Sequence, residues 1–204
     1  MSTVNEVERH YDLLIDEGND PVLDPPELSA YMDGWDGEAF LNTLALTGVE
    51  DVLEIGVGTG RLALRVAGRC RTFTGLDISE KSIARAAAHL AAYPHARLIR
   101  ADFMAWETQA RFDVIYASLT FMHLEDKAAA VRRVAAMLRP GGRAVISLDK
   151  DQSGVIDYGT RCLPVWPDDP EAMAAHLHAA GLRVLPAQEL QFAFILTAVK
   201  GEDM

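Results

Sequence analysis

Three glycines at alternate positions, Gly56, Gly58 and Gly60, cut off the apolar run at 52–55 and lead straight into a helix-compatible stretch at 62–67. The pattern reads as a strand turning sharply into a helix. Glycine tolerates positive φ and, having no Cβ, lets another group approach the main chain to contact distance. Ligands of open α/β sheets sit beyond the carboxyl ends of the strands, so this turn is expected to border a binding crevice. An acid, Glu54, stands inside the apolar run just before it.

From Asp51 onward strands and helices alternate. Residues 71–76 read as a second strand closing on Asp77, and Ser79 is placed to cap a helix whose stripe is Ile83, Ala86, Ala87 and Leu90. A third strand at 96–100 ends at Ala101, Asp102 and Phe103, and a fourth covers 112–117. A loop to residue 125 and a helix at 126–138 follow, with Val131, Val134, Ala135 and Leu138 on one face. The sequence 139–142, Arg-Pro-Gly-Gly, is expected to be a turn before a fifth strand at 143–148. Five strands spaced by helices imply a parallel sheet with right-handed crossovers. The segment 149–168 reads as irregular, and Asp169 caps a helix that Gly181 stops. Two last strands, at 182–186 and 189–200, are too close for a crossover and are expected to pair antiparallel.

Ahead of the first strand, Val4, Val7, Tyr11, Leu14 and Ile15 recur at helical spacing. A break at 18–26 precedes a second helix near Glu27 and a third near Gly37, the latter with Phe40, Leu41, Leu44 and Ala45 on one face. Residues 1–47 are expected to form a helical lid over a core at 48–199, within one domain spanning 1–204. With 204 residues and a formal net charge of −11, the chain suits a single core and makes DNA a poor partner, since phosphate binding needs a basic face. Cys70 and Cys162 lack metal-ligand spacing and are expected to be free thiols, with Cys70 in the core. No apolar run suits a signal peptide or a membrane span, so a cytoplasmic protein is expected. The oligomeric state is not legible.

In order and spacing, the motifs VLEIGVGTG, Asp77, Ala101-Asp102-Phe103, FDVIYASLTFMHL and LRPGG resemble the class I S-adenosylmethionine-dependent methyltransferases over roughly residues 48–199. The resemblance implies a Rossmann-like, doubly wound, seven-stranded, mostly parallel sheet with an antiparallel last strand. It implies S-adenosylmethionine as cofactor and S-adenosylhomocysteine as product. Gly56, Gly58 and Gly60 would admit the cofactor's amino-acid and ribose portions, with Glu54 beneath them. Asp77 would take the ribose hydroxyls, Asp102 and the Phe103 backbone the adenine, and Ile78 the adenine face. Ala117 and Ser118 would run beside the methionine moiety, and Tyr11 is the candidate lid residue. A nicotinamide site is disfavoured, because G-x-G-x-x-G would need glycine where Arg61 stands.

Methyl transfer by in-line displacement asks the protein chiefly to position the acceptor and exclude water, and needs no metal. An acceptor that keeps a proton needs a base, for which His123 in the loop after the fourth strand is the candidate; the alternative is that it only anchors that loop. Neither Asn-Pro-Pro-aromatic nor Pro-Cys follows the fourth strand, so a small-molecule oxygen or nitrogen acceptor is expected, bounded by Tyr11, Tyr31, Trp35, residues 119–123, Tyr158 and Trp166. A cofactor-binding protein without turnover, or an enzyme acting on protein or RNA, would share the same cofactor motifs.

Overall fold

Thr3 sets the start of the first helix in a computed structural model that describes residues 3–202. Its hydroxyl accepts from the Glu6 amide while the Glu6 carboxylate accepts from the Thr3 amide, a reciprocal cap that opens α1 (Val4–Asp16). Val7, His10 and Leu14 are its buried residues, whereas Val4, at the frayed end of the stripe, is 49% exposed. Two more helices, α2 (Pro26–Asp36) and α3 (Glu38–Thr43), bring the chain to the sheet. Ala45 lies past α3 with φ +47 and is exposed, so the apolar stripe ends at Leu44.

The alternating part runs β1 (Asp51–Ile55), α4 (Arg61–Val66), β2 (Thr72–Asp77), α5 (Glu80–His89), β3 (Ala96–Arg100), β4 (Phe112–Ser118), α6 (Lys127–Met137) and β5 (Leu138–Asp149). After it come β6 (Val155–Asp157), β7 (Cys162–Pro164), α7 (Pro170–Ala179), β8 (Leu182–Val184), β9 (Gln188–Glu189) and β10 (Ala193–Lys200). The sheet is ordered β3-β2-β1-β4-β5-β10-β8, with the two-residue β9 attached to β10 as an eighth strand. Strands β1 to β5 pair in parallel, and β10 runs antiparallel to β5, β8 and β9. The seven-stranded path with its antiparallel last strand is the one the resemblance implied.

Side chains alternate across this sheet as the pleat requires. Leu53, Ile55, Ile115 and Ala117 face one core, closed by Val131 and Val134 of α6 and Met173 and Leu177 of α7. Val52, Val114 and Tyr116 face the other, closed by Phe40 of α3 and Leu62 and Val66 of α4. Helices therefore cover both faces. The strand order reverses between β1 and β4, where such sheets open a crevice.

Three local expectations change. Residues 139–142 do not form a free turn but belong to β5, opposite a register shift between Phe112 and Val114. Arg139 holds that bulge by donating to Asp113 and Asp51, each at 2.7 Å. Ala87 is exposed, because α5 buries Ser82, Ala86 and, just beyond its end, Leu90. The segment taken as irregular contains the antiparallel hairpin β6–β7. Cys70 is buried and Cys162 exposed, both as free thiols. Among the described residues, no helix is long and apolar enough to cross a membrane. Residues 1, 2, 203 and 204 of the expected domain lie outside the described ones.

Candidate functional site

The first glycine turn is built by backbone hydrogen bonds across to the second strand. Gly56 N–H and Val57 N–H both donate to Leu76 C=O at 2.8 Å, which brings the tip of β1 against the tip of β2. Gly56 has φ +78, and a Cβ there would lie 2.2 Å from Thr120 Oγ1. Gly58, at φ +54, has nothing within 4 Å of a Cβ position, because it opens on a cavity of about 260 Å³. This hollow is lined from the ends of β1 to β4 and by α1.

Ten of the predicted site residues line that hollow: Tyr11, Glu54, Gly56, Gly58, Asp77, Ile78, Asp102, Phe103, Ser118 and His123. Gly60 and Ala117 do not. Gly60 is the left-handed residue capping α4 and packs against Ala86 of α5, 3.6 Å from its Cβ position, while Ala117 points into the core. Tyr31 and Trp35 pack with Phe192 in an aromatic cluster, the Tyr158 ring lies tilted against His10 with centroids 4.4 Å apart, and none of these lines the cavity. Trp166 instead supports the loop, its amide donating to Met122 C=O at 2.8 Å.

Asp77 and Asp102 end neighbouring strands and reach the same wall. One Asp77 oxygen accepts from Gly58 N–H at 2.8 Å and the other from Ser79 N–H at 2.9 Å, so the acid organises the glycine turn and the start of α5 together. Burial outweighs these hydrogen bonds and raises its pKa. Asp102 accepts from Met104 N–H at 2.8 Å. Phe103, 5% exposed, is held by Arg133, whose Nε donates to its carbonyl at 3.1 Å and whose guanidinium lies over its ring.

Glu54 is 3% exposed and accepts from the Tyr116 hydroxyl at 2.7 Å. Burial drives its pKa well above the usual carboxylate range, against the opposing hydrogen bond from Tyr116 and the charge of Arg61. Beside it lies a set that sequence reading missed. Arg61 donates from Nη2 to both oxygens of Asp36, and Ser118 donates to Asp36 Oδ2. An arginine immediately after the glycine turn was the visible signal; nothing local marks Asp36, 25 positions upstream.

His123 sits in the short 3-10 turn Phe121–His123. Lys127 fixes that turn by donating to Phe121 C=O at 2.8 Å, Trp166 C=O at 3.0 Å and Asp168 Oδ1 at 2.6 Å. His123 Nε2 meets Tyr11 Oη at 2.8 Å, closing α1 onto the loop, and Nδ1 is buried without a partner among the described residues. Further ties hold α1 and the turn after it: Asp12 accepts from the Ser79 hydroxyl at 2.6 Å, Glu8 pairs with Arg100 at 2.5 Å, Asp16 with Lys81 at 2.5 Å and Asp20 with His89 at 2.9 Å. The exposed ion pairs among them, Glu8–Arg100 and Asp16–Lys81, hold weakly one by one. Together with Val7 and Leu14 they seat the helix over the cavity.

Burial, with smaller contributions from His10 and Lys127, pulls the His123 pKa down to about 4. The ring is neutral at pH 7. Between about 6.5 and about 4 the unfolded chain binds a proton that the folded chain refuses, so stability is full above that window and falls as pH drops through it, by about 1.4 kcal/mol per pH unit. Replacing His123 by Gln is expected to flatten this limb, as read from urea midpoints compared between about pH 7 and about pH 4.5. An unchanged slope would restore the native pKa to the ordinary imidazole value.

Residues 52–142 match the family described as a methyltransferase domain. An uncharacterized methyltransferase of Mycobacterium tuberculosis is 33% identical over 110 residues, covering 53% of this chain and 55% of that one. The 27-O-demethylrifamycin SV methyltransferase of Amycolatopsis mediterranei is 32% identical over 162 residues, 72% of this chain and 59% of its own length. The chain thus spans about half the length of the curated relatives it matches. In fold it is similar to the N-methyltransferase NodS of Bradyrhizobium japonicum in complex with S-adenosyl-L-homocysteine, with TM-score 0.70 and 21% identity, covering 94% of this chain and 98% of that one.

Proposed function

We propose, for a chain that belongs through residues 52–142 to the class I S-adenosylmethionine-dependent methyltransferase family, that it moves a methyl group from S-adenosylmethionine to a small-molecule oxygen or nitrogen acceptor. One observation carries this reading: the glycine turn opens, above Gly58, onto a hollow flanked by acids at the tips of β2 and β3. The bound cofactor would supply a methyl carbon already activated by positive sulfur. Asp77 is placed to accept from the ribose hydroxyls, and Asp102 with the Phe103 amide to read the adenine edge beside Ile78. Gly56, Gly58 and Glu54 would border the amino-acid portion, and Ala117 would act only through the packing that positions Ser118. Residues 1–47 would serve as the lid of a core at 48–199, with Tyr11 excluding water from the hollow.

His123 would take the acceptor's proton. With a pKa near 4 it is a weak base, suited to a proton that becomes acidic as the new bond forms. Tyr11 Oη, hydrogen-bonded to Nε2, is the route by which that proton reaches the ring. A small acceptor is supported by the hollow of about 260 Å³ under α1, by the acidic chain and by relatives whose names include an O-demethylrifamycin and an N-methyltransferase. The two free thiols agree with a cytoplasmic location.

The expected result is a selective gain in thermal stability. S-adenosylhomocysteine at about 100 times its dissociation constant should add about 2.7 kcal/mol, roughly 5–10 °C in Tm for a chain this size, and NAD should add nothing. Tritiated methyl transfer to a panel of phenols, alcohols and amines would then find the acceptor class. Equal stabilisation by NAD would overturn the cofactor, and transfer to protein or RNA alone would overturn the small acceptor.

A further inference from the structure

Beside the loop that carries His123, one lysine makes contacts that local forces do not account for. Lys127 is the first residue of α6, directly after the Asp126 cap. A helix N-terminus carries partial positive charge, so a cation is disfavoured there. The Lys127 side chain is only 14% exposed, and that of Asp168, its ion-pair partner, 0%. Withdrawing such a pair from water is costly, and an apolar pair of similar volume often stabilises a fold as well or better. Asp168 Oδ2, moreover, is buried without a partner among the described residues, which adds to the cost. What the lysine achieves is geometric. An ammonium spreads three donors apart, and here they reach Phe121 C=O at 2.8 Å, Trp166 C=O at 3.0 Å and Asp168 Oδ1 at 2.6 Å. Phe121 C=O also accepts from Leu124 N–H at 2.9 Å, and Met122 C=O accepts from Trp166 N–H at 2.8 Å. The two residues before His123 are thereby tied both to α6 and to the segment that follows β7. Thr120 Oγ1 ties the start of the same loop to the tip of β1, through Ile55 C=O at 3.1 Å. Held at these points, the turn presents the His123 ring to the hollow and to Tyr11 Oη at 2.8 Å.

We propose that Lys127 and Asp168 are positioning residues for methyl transfer, fixing the turn from which His123 reaches the acceptor's proton. The inference rests on the reading of His123 as the base and goes beyond it. It brings the segment after β7 into the reaction through two residues that do not line the hollow. Charge-assisted hydrogen bonds are directional and about twice as strong as neutral ones, whereas apolar contacts would leave the turn free to slide. The difference matters because a misplacement of about 1 Å near the reacting atoms can cost about 100-fold in rate. The clamp therefore trades fold stability for a fixed ring.

The test is Lys127→Met together with Asp168→Asn, which removes both members of the pair and strands neither. Imidazole resonances of the full chain, with His123 assigned by its loss in His123→Gln, report the ring directly. In wild type the ring is expected to titrate near pH 4. In the double variant a loosened turn admits water to the ring, and the midpoint should rise by about one unit or more toward the ordinary value of about 6.5. S-adenosylhomocysteine affinity, read by calorimetry, should stay within about threefold, because neither residue lines the hollow. With the acceptor that the methyl-transfer panel identifies, kcat should fall roughly 10- to 100-fold while KM changes little. A midpoint that stays at the wild-type value overturns the proposal, even where melting temperature and affinity fall, and so does an undiminished kcat. If the double variant does not melt cooperatively, Lys127→Arg decides. Its planar fork keeps the charge but cannot spread three donors to these acceptors, so a smaller rise of the same sign is expected, and an unmoved midpoint is again fatal. Full turnover in His123→Gln overturns the base and this proposal with it. Wild type that binds no S-adenosylhomocysteine overturns the cofactor reading alone and leaves the midpoint to decide the clamp.

Discussion

Asp77→Ala is expected to weaken S-adenosylhomocysteine binding by roughly 100-fold or more, since each hydrogen bond to a charged group is worth about 1.5–3 kcal/mol and this side chain is placed to take both ribose hydroxyls. The same substitution strands the Gly58 and Ser79 amides that now donate to it at 2.8 and 2.9 Å. The turn then loses the clamp that holds its backbone ready for the ligand. Because burial already disfavours the ionised acid, the cost to the unliganded fold should be smaller than the cost to binding, about 1–3 kcal/mol. Asp77→Asn keeps an acceptor for one amide and should recover part of the stability but little of the affinity. Titration calorimetry and unliganded melting curves of the two variants separate these effects. Affinity within a few-fold of wild type in Asp77→Ala would remove the acid from the site.

A second large effect is expected from two glycines only two residues apart. Gly56→Ala places a Cβ 2.2 Å from Thr120 Oγ1 and 2.9 Å from Thr120 Cγ2, at φ +78. Thr120 cannot simply turn away, because its hydroxyl is bonded to Ile55 C=O at 3.1 Å and Ser118 C=O at 2.9 Å. Left-handed backbone strain and overpacking together should cost about 2–5 kcal/mol, enough to threaten the fold. Gly58→Ala adds its methyl to open space and should cost only about 1–2 kcal/mol of stability. Its loss falls on the ligand, because the methyl occupies the floor that would border the cofactor's amino-acid portion. Melting temperature should therefore separate the pair in one direction and S-adenosylhomocysteine affinity in the other. Wild-type affinity in Gly58→Ala would show that no ligand crosses that residue.

Much of this site was legible before any fold was known, and for a definable reason. The glycine turn, Asp77 after the second strand and Asp102 after the third are each tied to an element that hydrophobic periodicity places, so position along the chain implied position in space. The Arg-Pro-Gly-Gly segment misled because its turn chemistry was overridden by β5, which Arg139 anchors to Asp51 and Asp113. For two of the aromatic residues expected around the acceptor, the partner lay outside any local pattern. Tyr31 and Trp35 found a partner in Phe192, a residue with no sequence relation to them, and packed there.

By itself the sequence determined the order of strands and helices, the sharp turn at the first strand tip and the acids waiting at the next two, because periodicity, capping and glycine φ act over a few neighbouring residues. Only the tertiary structure decided that Tyr11 meets His123 across 112 positions, that Asp36 gathers Arg61 and Ser118 across 25 and 82, and that Gly60 and Ala117 turn away from the hollow. Those pairings follow from which surfaces of separate elements come together when the sheet closes under its helices. No local pattern encodes them, since a side chain's distant partner leaves no trace in its own neighbours.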